Sequence, residues 1–146
     1  AQGLAASPHP KQRLQWAESG GVRWLNDAYN ANADSVRASL ETLAALETAG
    51  RRFVVLGEMA ELGEHAEDAH REAGELTASA AAGLVAIGRW ADVTAEAARA
   101  AGLKAVESVP DVRSAVDVLR DWVQPRDVVL LKASRAAKLE QILDLF

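Results

Sequence analysis

Three clusters of polar residues could do chemistry, and each follows a short apolar run. The first is Asn26-Asp27-Ala28-Tyr29-Asn30-Ala31-Asn32-Ala33-Asp34-Ser35, with three Asn, two Asp, a Tyr and a Ser in ten residues. A carboxylate such as Asp27 can accept from ribose hydroxyls, and Asn side chains both donate and accept. A helix starting beyond them would offer free N–H groups to an anion. The same residue types also serve as turn and cap. The second cluster is Gly57-Glu58-Met59-Ala60-Glu61-Leu62-Gly63. Its paired Glu could orient a cationic amine or a magnesium ion, or could be solvated charges on a loop. The third is Lys132-Ala133-Ser134-Arg135, with Lys138 one turn later. Two cations and a hydroxyl suit a carboxylate or phosphate, and Arg can grip a carboxylate with two parallel bonds. Cations in a first helical turn oppose the helix dipole, which argues that they are there for a ligand. The alternative is that Ser134 merely caps a helix.

Two further observations narrow the chemistry. His65 and His70 are five apart and do not share a helix face as the paired histidines of a zinc helix do, so His70 is read as a loop-ordering or packing residue. The chain contains no G-x-x-x-x-G-K-[ST] phosphate loop and no G-x-G-x-x-G after its first strand. If ATP is used, its triphosphate must be cradled by other polypeptide.

The elements that would position these clusters follow from hydrophobic pattern. Residues 12–18 and 22–27 flank Ser19-Gly20-Gly21, a hairpin turn signal. The runs 52–57, 83–88, 104–109 and 127–132 are strands, and the most apolar of them suit a parallel sheet covered on both faces. Helical patterns lie between them, over 34–46 with Asp34 as a plausible N-cap, over 65–82, over 89–101, beginning at Pro110, and from about Ser134 to Leu145. Alternating strands and helices with right-handed crossovers give a doubly wound, Rossmann-like α/β fold, mostly parallel, with an antiparallel N-terminal hairpin strand and helices on both faces.

Composition sets the bounds. The chain has 146 residues, suited to one domain, and 31 of them are Ala, which favours helices and close helix–sheet contacts. Sixteen Lys and Arg against 21 Asp and Glu argue against non-specific nucleic-acid binding. The absence of Cys excludes thiolate chemistry and Cys-ligated zinc. No run reaches the roughly 20 apolar residues of a membrane helix, and the first residues lack the order of a signal peptide. A cytoplasmic protein cut from a longer chain is expected.

Four motifs then carry a resemblance. NDAYNANADS (26–35), LGEMAELG (56–63), HREAG (70–74) and KASRAAKLE (132–140) occur in the order and spacing of the carboxy-terminal domain of the Mur ligases. The resemblance covers nearly the whole chain, with 1–11 similar to the link from a central domain and 12–146 to the domain itself. It implies an ATP-dependent amide ligase of peptidoglycan precursor synthesis that joins D-alanyl-D-alanine to a UDP-N-acetylmuramoyl tripeptide through an acyl phosphate. In that family a first domain holds the UDP-sugar, and a central domain holds the phosphate loop and most of the ATP and Mg2+ contacts. The resemblance thus implies partner domains on the same polypeptide, a bacterial cytoplasmic monomer, and no catalytic or metal residues in this domain. It gives Asp27, Tyr29, Asn30 and Asn32 to ATP, and Lys132, Ser134 and Arg135 to the dipeptide carboxylate. Glu58, Glu61 and His70 would shape the facing loop. The family usually has Pro where this chain has Ala33, and Gly where it has Ala133, which would strain Ala133 if that Gly has φ > 0. Two other readings fit the residues: a non-catalytic doubly wound module that binds a nucleotide or anion, and a related ligase of the Mur or folylpolyglutamate type.

Overall fold

The computed structural model describes residues 15–27, 31–134, 138–139 and 141–146. The hairpin forms as its turn signal requires. Strands β1 (Gln15–Ser19) and β2 (Val22–Asp27) pair antiparallel across Gly20 and Gly21, whose φ angles of 63° and 79° are those of a tight two-residue reversal. Then follow α1 (Ala33–Ala45), β3 (Arg52–Leu56), a short 3-10 turn (Gly63–His65), α2 (Ala66–Ala80), β4 (Gly83–Ile87) and α3 (Ala91–Ala100). The described chain ends with β5 (Ala105–Val109), α4 (Val112–Trp122), β6 (Val128–Lys132) and α5 (Gln141–Leu145).

The six described strands order as β1-β2-β6-β3-β4-β5, parallel except for β1. Side-chain alternation sends Val54, Leu56 and Leu130 to one face and Phe53, Val55 and Leu131 to the other. The first face packs under α1, α2 and α3, the second under α4 and α5. Strand β6 returns from the β5 edge and inserts between β2 and β3. The helix after β3 covers one face and the helix after β6 the other. That reversal places a topological switch point at the carboxyl ends of β6 and β3, where open α/β sheets bind ligands.

Three local expectations are corrected. Asp34 does not cap α1. Asn32 does, accepting from Ser35 N–H at 2.9 Å while Ser35 Oγ accepts from Asn32 N–H at 2.9 Å. Helix α4 begins after Asp111 rather than at Pro110, because the Asp111 carboxylate accepts from Ser114 N–H at 2.8 Å. No helix runs from Ser134 to Leu145. Lys138 has φ 54°, a left-handed conformation that a helix interior does not admit, and α5 starts only at Gln141. The two family departures are accommodated. Ala133 is fully buried and is not among the residues of positive φ. Ala33 is the first residue of α1, where Pro is tolerated but not required.

Candidate functional site

The register at the carboxyl edge brings Asp27, Lys132 and Leu56 side by side on β2, β6 and β3. Lys132 Nζ lies 2.9 Å from Asp27 Oδ2, with only 3% and 5% of the two side chains exposed. Ser39, on the inner face of α1, donates its hydroxyl to the same carboxylate oxygen. Strand β6 is flanked on both sides, so a cation at its end is taken out of water and needs a partner there. Asp27 is that partner.

Beyond Lys132, the chain staples the loop that follows β3. Gly57 N–H donates to Lys132 O at 2.9 Å, and Ser134 N–H donates to Glu58 O at 3.0 Å. Ser134 Oγ in turn accepts from Ala60 N–H at 2.7 Å, so its hydroxyl ties the loop. The Met59 N–H between them donates to His70 Nε2 at 3.0 Å. His70 Nδ1–H donates to Ala66 O at 2.7 Å, and the ring stacks on Trp90 at 5.8 Å between centroids. These partners fix the neutral imidazole with its proton on Nδ1. The loop-ordering reading of His70 is the one the geometry shows.

Burial holds the His70 pKa below the ordinary histidine value of 6.5, against the opposing pull of the Ala66 carbonyl and the Glu58 charge. Since the unfolded chain protonates first, this residue's contribution to stability is complete above pH 6.5 and is lost as pH falls toward and through the lowered folded value. Protonation would also remove the acceptor for Met59 N–H. His70→Phe keeps an aromatic ring beside Trp90 but leaves that N–H without a partner, an expected cost of about 1–3 kcal/mol. Urea unfolding at several pH values between 8 and 5 checks this. The wild type should weaken below pH 6.5 relative to the variant, and parallel curves would refute the assignment.

The same edge carries a hollow of about 600 Å³ between the ends of β3, β4 and β5, walled on the far side by α5. Glu58, Gly88, Arg113 and Gln141 line it together with Val112 and Leu145. Among the described residues, no three or more His, Asp or Glu side chains group to hold a metal. None of the described helices is long and apolar enough to cross a membrane.

The structure thus gathers Asp27, Lys132, Ser134, Glu58 and His70 on one edge. Asn32 is exposed at the start of α1, and Glu61 is exposed in the β3 loop at φ 63°. Tyr29, Asn30 and Arg135 lie outside the described residues. Ser39 was not anticipated. Ser39 had one signal, a hydroxyl on the buried stripe of α1 beside Leu40 and Leu43.

A doubly wound domain with a polar, stapled carboxyl edge and no phosphate loop of its own is the class defined by fold and site together. The Mur ligase, glutamate ligase domain matches residues 12–135, and the chain belongs to that family. The UDP-N-acetylmuramoyl-tripeptide--D-alanyl-D-alanine ligase of Mycobacterium tuberculosis is 40% identical over 96% of this chain and 32% of its own length. The enzyme of the same name from Bacillus subtilis is 31% identical over 97% of this chain. The crystal structure of MurF ligase from Thermotoga maritima in complex with ADP superposes with a TM-score of 0.78 at 30% identity, covering 98% of this chain and 32% of that one. The chain therefore spans about a third of the length of the relatives it matches.

Proposed function

We propose that this chain is the carboxy-terminal domain of an ATP-dependent ligase that joins D-alanyl-D-alanine to UDP-N-acetylmuramoyl tripeptide in peptidoglycan precursor synthesis. The observation that carries the reading is the 40% identity to the Mycobacterium tuberculosis ligase along 96% of the chain. The ADP complex of the Thermotoga maritima neighbour supports the nucleotide assignment. In this reading residues 1–11 link to a central domain, and the phosphate cradle and Mg2+ sites lie on that domain. ATP phosphorylates the tripeptide carboxylate, releasing ADP. The dipeptide amine attacks the acyl phosphate, loses a proton, and the tetrahedral intermediate collapses to the amide with loss of phosphate.

The domain contributes position rather than bond making. Asp27 would accept from the ribose hydroxyls, held in place by Lys132 and Ser39, with Tyr29, Asn30 and Asn32 along the nucleotide side. Lys132 is buried against Asp27 and Ser134 is engaged by the Glu58 loop, so both would act on the dipeptide by fixing the edge. Arg135 would touch it directly. Positioning and charge neutralisation of the phosphates make up most of phosphoryl-transfer catalysis. The isolated chain should therefore release no phosphate from ATP above background, with Mg2+, tripeptide and dipeptide all present. The intact ligase should turn over, and Asp27→Ala in it should raise the KM for ATP. Turnover by the isolated chain, or saturable nucleotide binding to it without other domains, would favour an autonomous module instead.

A further inference from the structure

The two edges of the sheet are finished differently. At the β5 edge, Gly88 N–H donates to Val109 O at 3.4 Å, and alternation then turns the N–H and C=O of Val106 and Ser108 outward. Arg99, in the last turn of α3, donates to that Val106 carbonyl at 3.2 Å and blunts the edge. At the β1 edge the two-residue turn makes Ser19 and Val22 a hydrogen-bonded pair, followed by Ala17 with Trp24 and Gln15 with Asn26. Arg23 N–H accordingly points away from β1 and donates to Asp127 O at 3.1 Å. Trp16 and Glu18 therefore turn their N–H and C=O groups to the open side, and no described side chain reaches them. Trp16 is also the large hydrophobic side chain left exposed among the described residues, at 49%. The Arg23 guanidinium lies over its ring at 5.4 Å and is itself held by the Glu47 carbonyl at 3.2 Å. A hollow of about 470 Å³ opens over Trp16, Ala17, Glu18 and Arg23.

We infer that the β1 edge is where the preceding domain of the intact ligase docks, laying an extended segment along β1 and an apolar side chain on Trp16. The inference rests on the function proposed above, in which residues 1–11 lead in from a central domain and the chain spans 32% of a ligase such as that of Mycobacterium tuberculosis. The register supplies the geometry. Trp16 pairs with Leu25, so its side chain shares a sheet face with Leu25 and with Asp27 two residues on. Strand spacing and rise put the Trp16 and Asp27 Cα atoms roughly 8 Å apart. A body that carries nucleotide to Asp27 therefore meets Trp16 on the same face. A connection of a few residues keeps that body near β1 at roughly millimolar effective concentration. The open N–H and C=O groups of Trp16 and Glu18 give the added segment its main-chain bonds. Glu18 and Arg23, directly opposite each other across the hairpin, form a polar rim beside the ring.

The test is hydrogen exchange in the intact ligase with a non-hydrolysable ATP analogue bound. Corrected for intrinsic rates, the Trp16 and Glu18 amides should exchange about tenfold slower or more than those of Val106 and Ser108, the outward amides of the other edge. Trp16→Ser should remove most of the protection at Glu18 and raise the KM for ATP severalfold. The Val54 and Leu130 amides should stay as protected as in the wild type, because the Trp16 ring lies outside the core. Trp16 and Glu18 amides that exchange as fast as Val106 and Ser108 overturn the proposal. So does protection that grows with ligase concentration, which would mean that a second copy pairs with the edge. A raised KM for ATP with Glu18 protection intact would put the nucleotide itself on Trp16, and overturns it too. If the ligase couples an amino acid other than D-alanyl-D-alanine and the protection persists, the docking stands and the substrate reading falls.

Discussion

Lys132→Met should lower the unfolding free energy by about 3–5 kcal/mol. Methionine has nearly the length of lysine and fills the same space, so the change isolates the charge. Asp27 would remain on the wall between β2 and α1 with its carboxylate 5% exposed and its cation removed. The Ser39 hydroxyl still donates to it, but one neutral donor does not compensate a buried charge. The loss should appear as a fall of roughly 10 °C or more in Tm. Adding Asp27→Asn should recover much of it, since replacing both members of a buried pair by uncharged groups is often close to neutral. In the intact ligase the double variant would then separate stability from function, with the fold restored and the KM for ATP still raised. A loss below about 1 kcal/mol for Lys132→Met would mean that water reaches Asp27 and that the pair does not hold the edge together.

Strands were readable because burial on both faces leaves near-continuous apolar runs, as in Val128–Lys132 and Gly83–Ile87. The hairpin was readable because adjacent glycines permit positive φ at both turn positions. The failures are equally local. Leu139, Ile142, Leu143 and Leu145 have helical spacing, which suggested one long final helix. A single left-handed residue, Lys138, breaks it, and periodicity carries no information about that. Asn32 and Asp34 are both good caps, and the choice fell to Asn32 because Ser35 sits at the position that returns the bond. The dipole argument applied to Lys132 and Arg135 presupposed that long helix. The clustering at the carboxyl edge was readable from the motifs. The Asp27–Lys132 contact was not, because it depends on β6 inserting between β2 and β3, and strand order leaves no local trace.

Gly74 shows how a motif glycine can act at a distance from the site, and Gly74→Val should be among the most damaging single changes in the domain. Gly74 and His70 are one turn apart on α2. A Cβ at Gly74 would stand 2.2 Å from the Thr94 carbonyl oxygen of α3, so the helices must separate to admit any side chain. Gly74→Ala gains about 1 kcal/mol of helix propensity, which the forced separation should outweigh. Valine adds two methyl groups to the same collision, and overpacking of this kind costs about 1–3 kcal/mol or more. The order of stability should be wild type, then Ala, then Val, measured by urea unfolding at pH 8. Separation also pushes on Trp90, which immediately precedes α3 and stacks on His70. His70 holds Met59 N–H, so hydrogen exchange at Met59 and Ala60 should quicken in the variants under conditions where both remain folded. If Ala stabilised the protein by its full propensity gain, α2 and α3 would have room to spare. The path from this helix contact to the Glu58 loop would then have no mechanical basis.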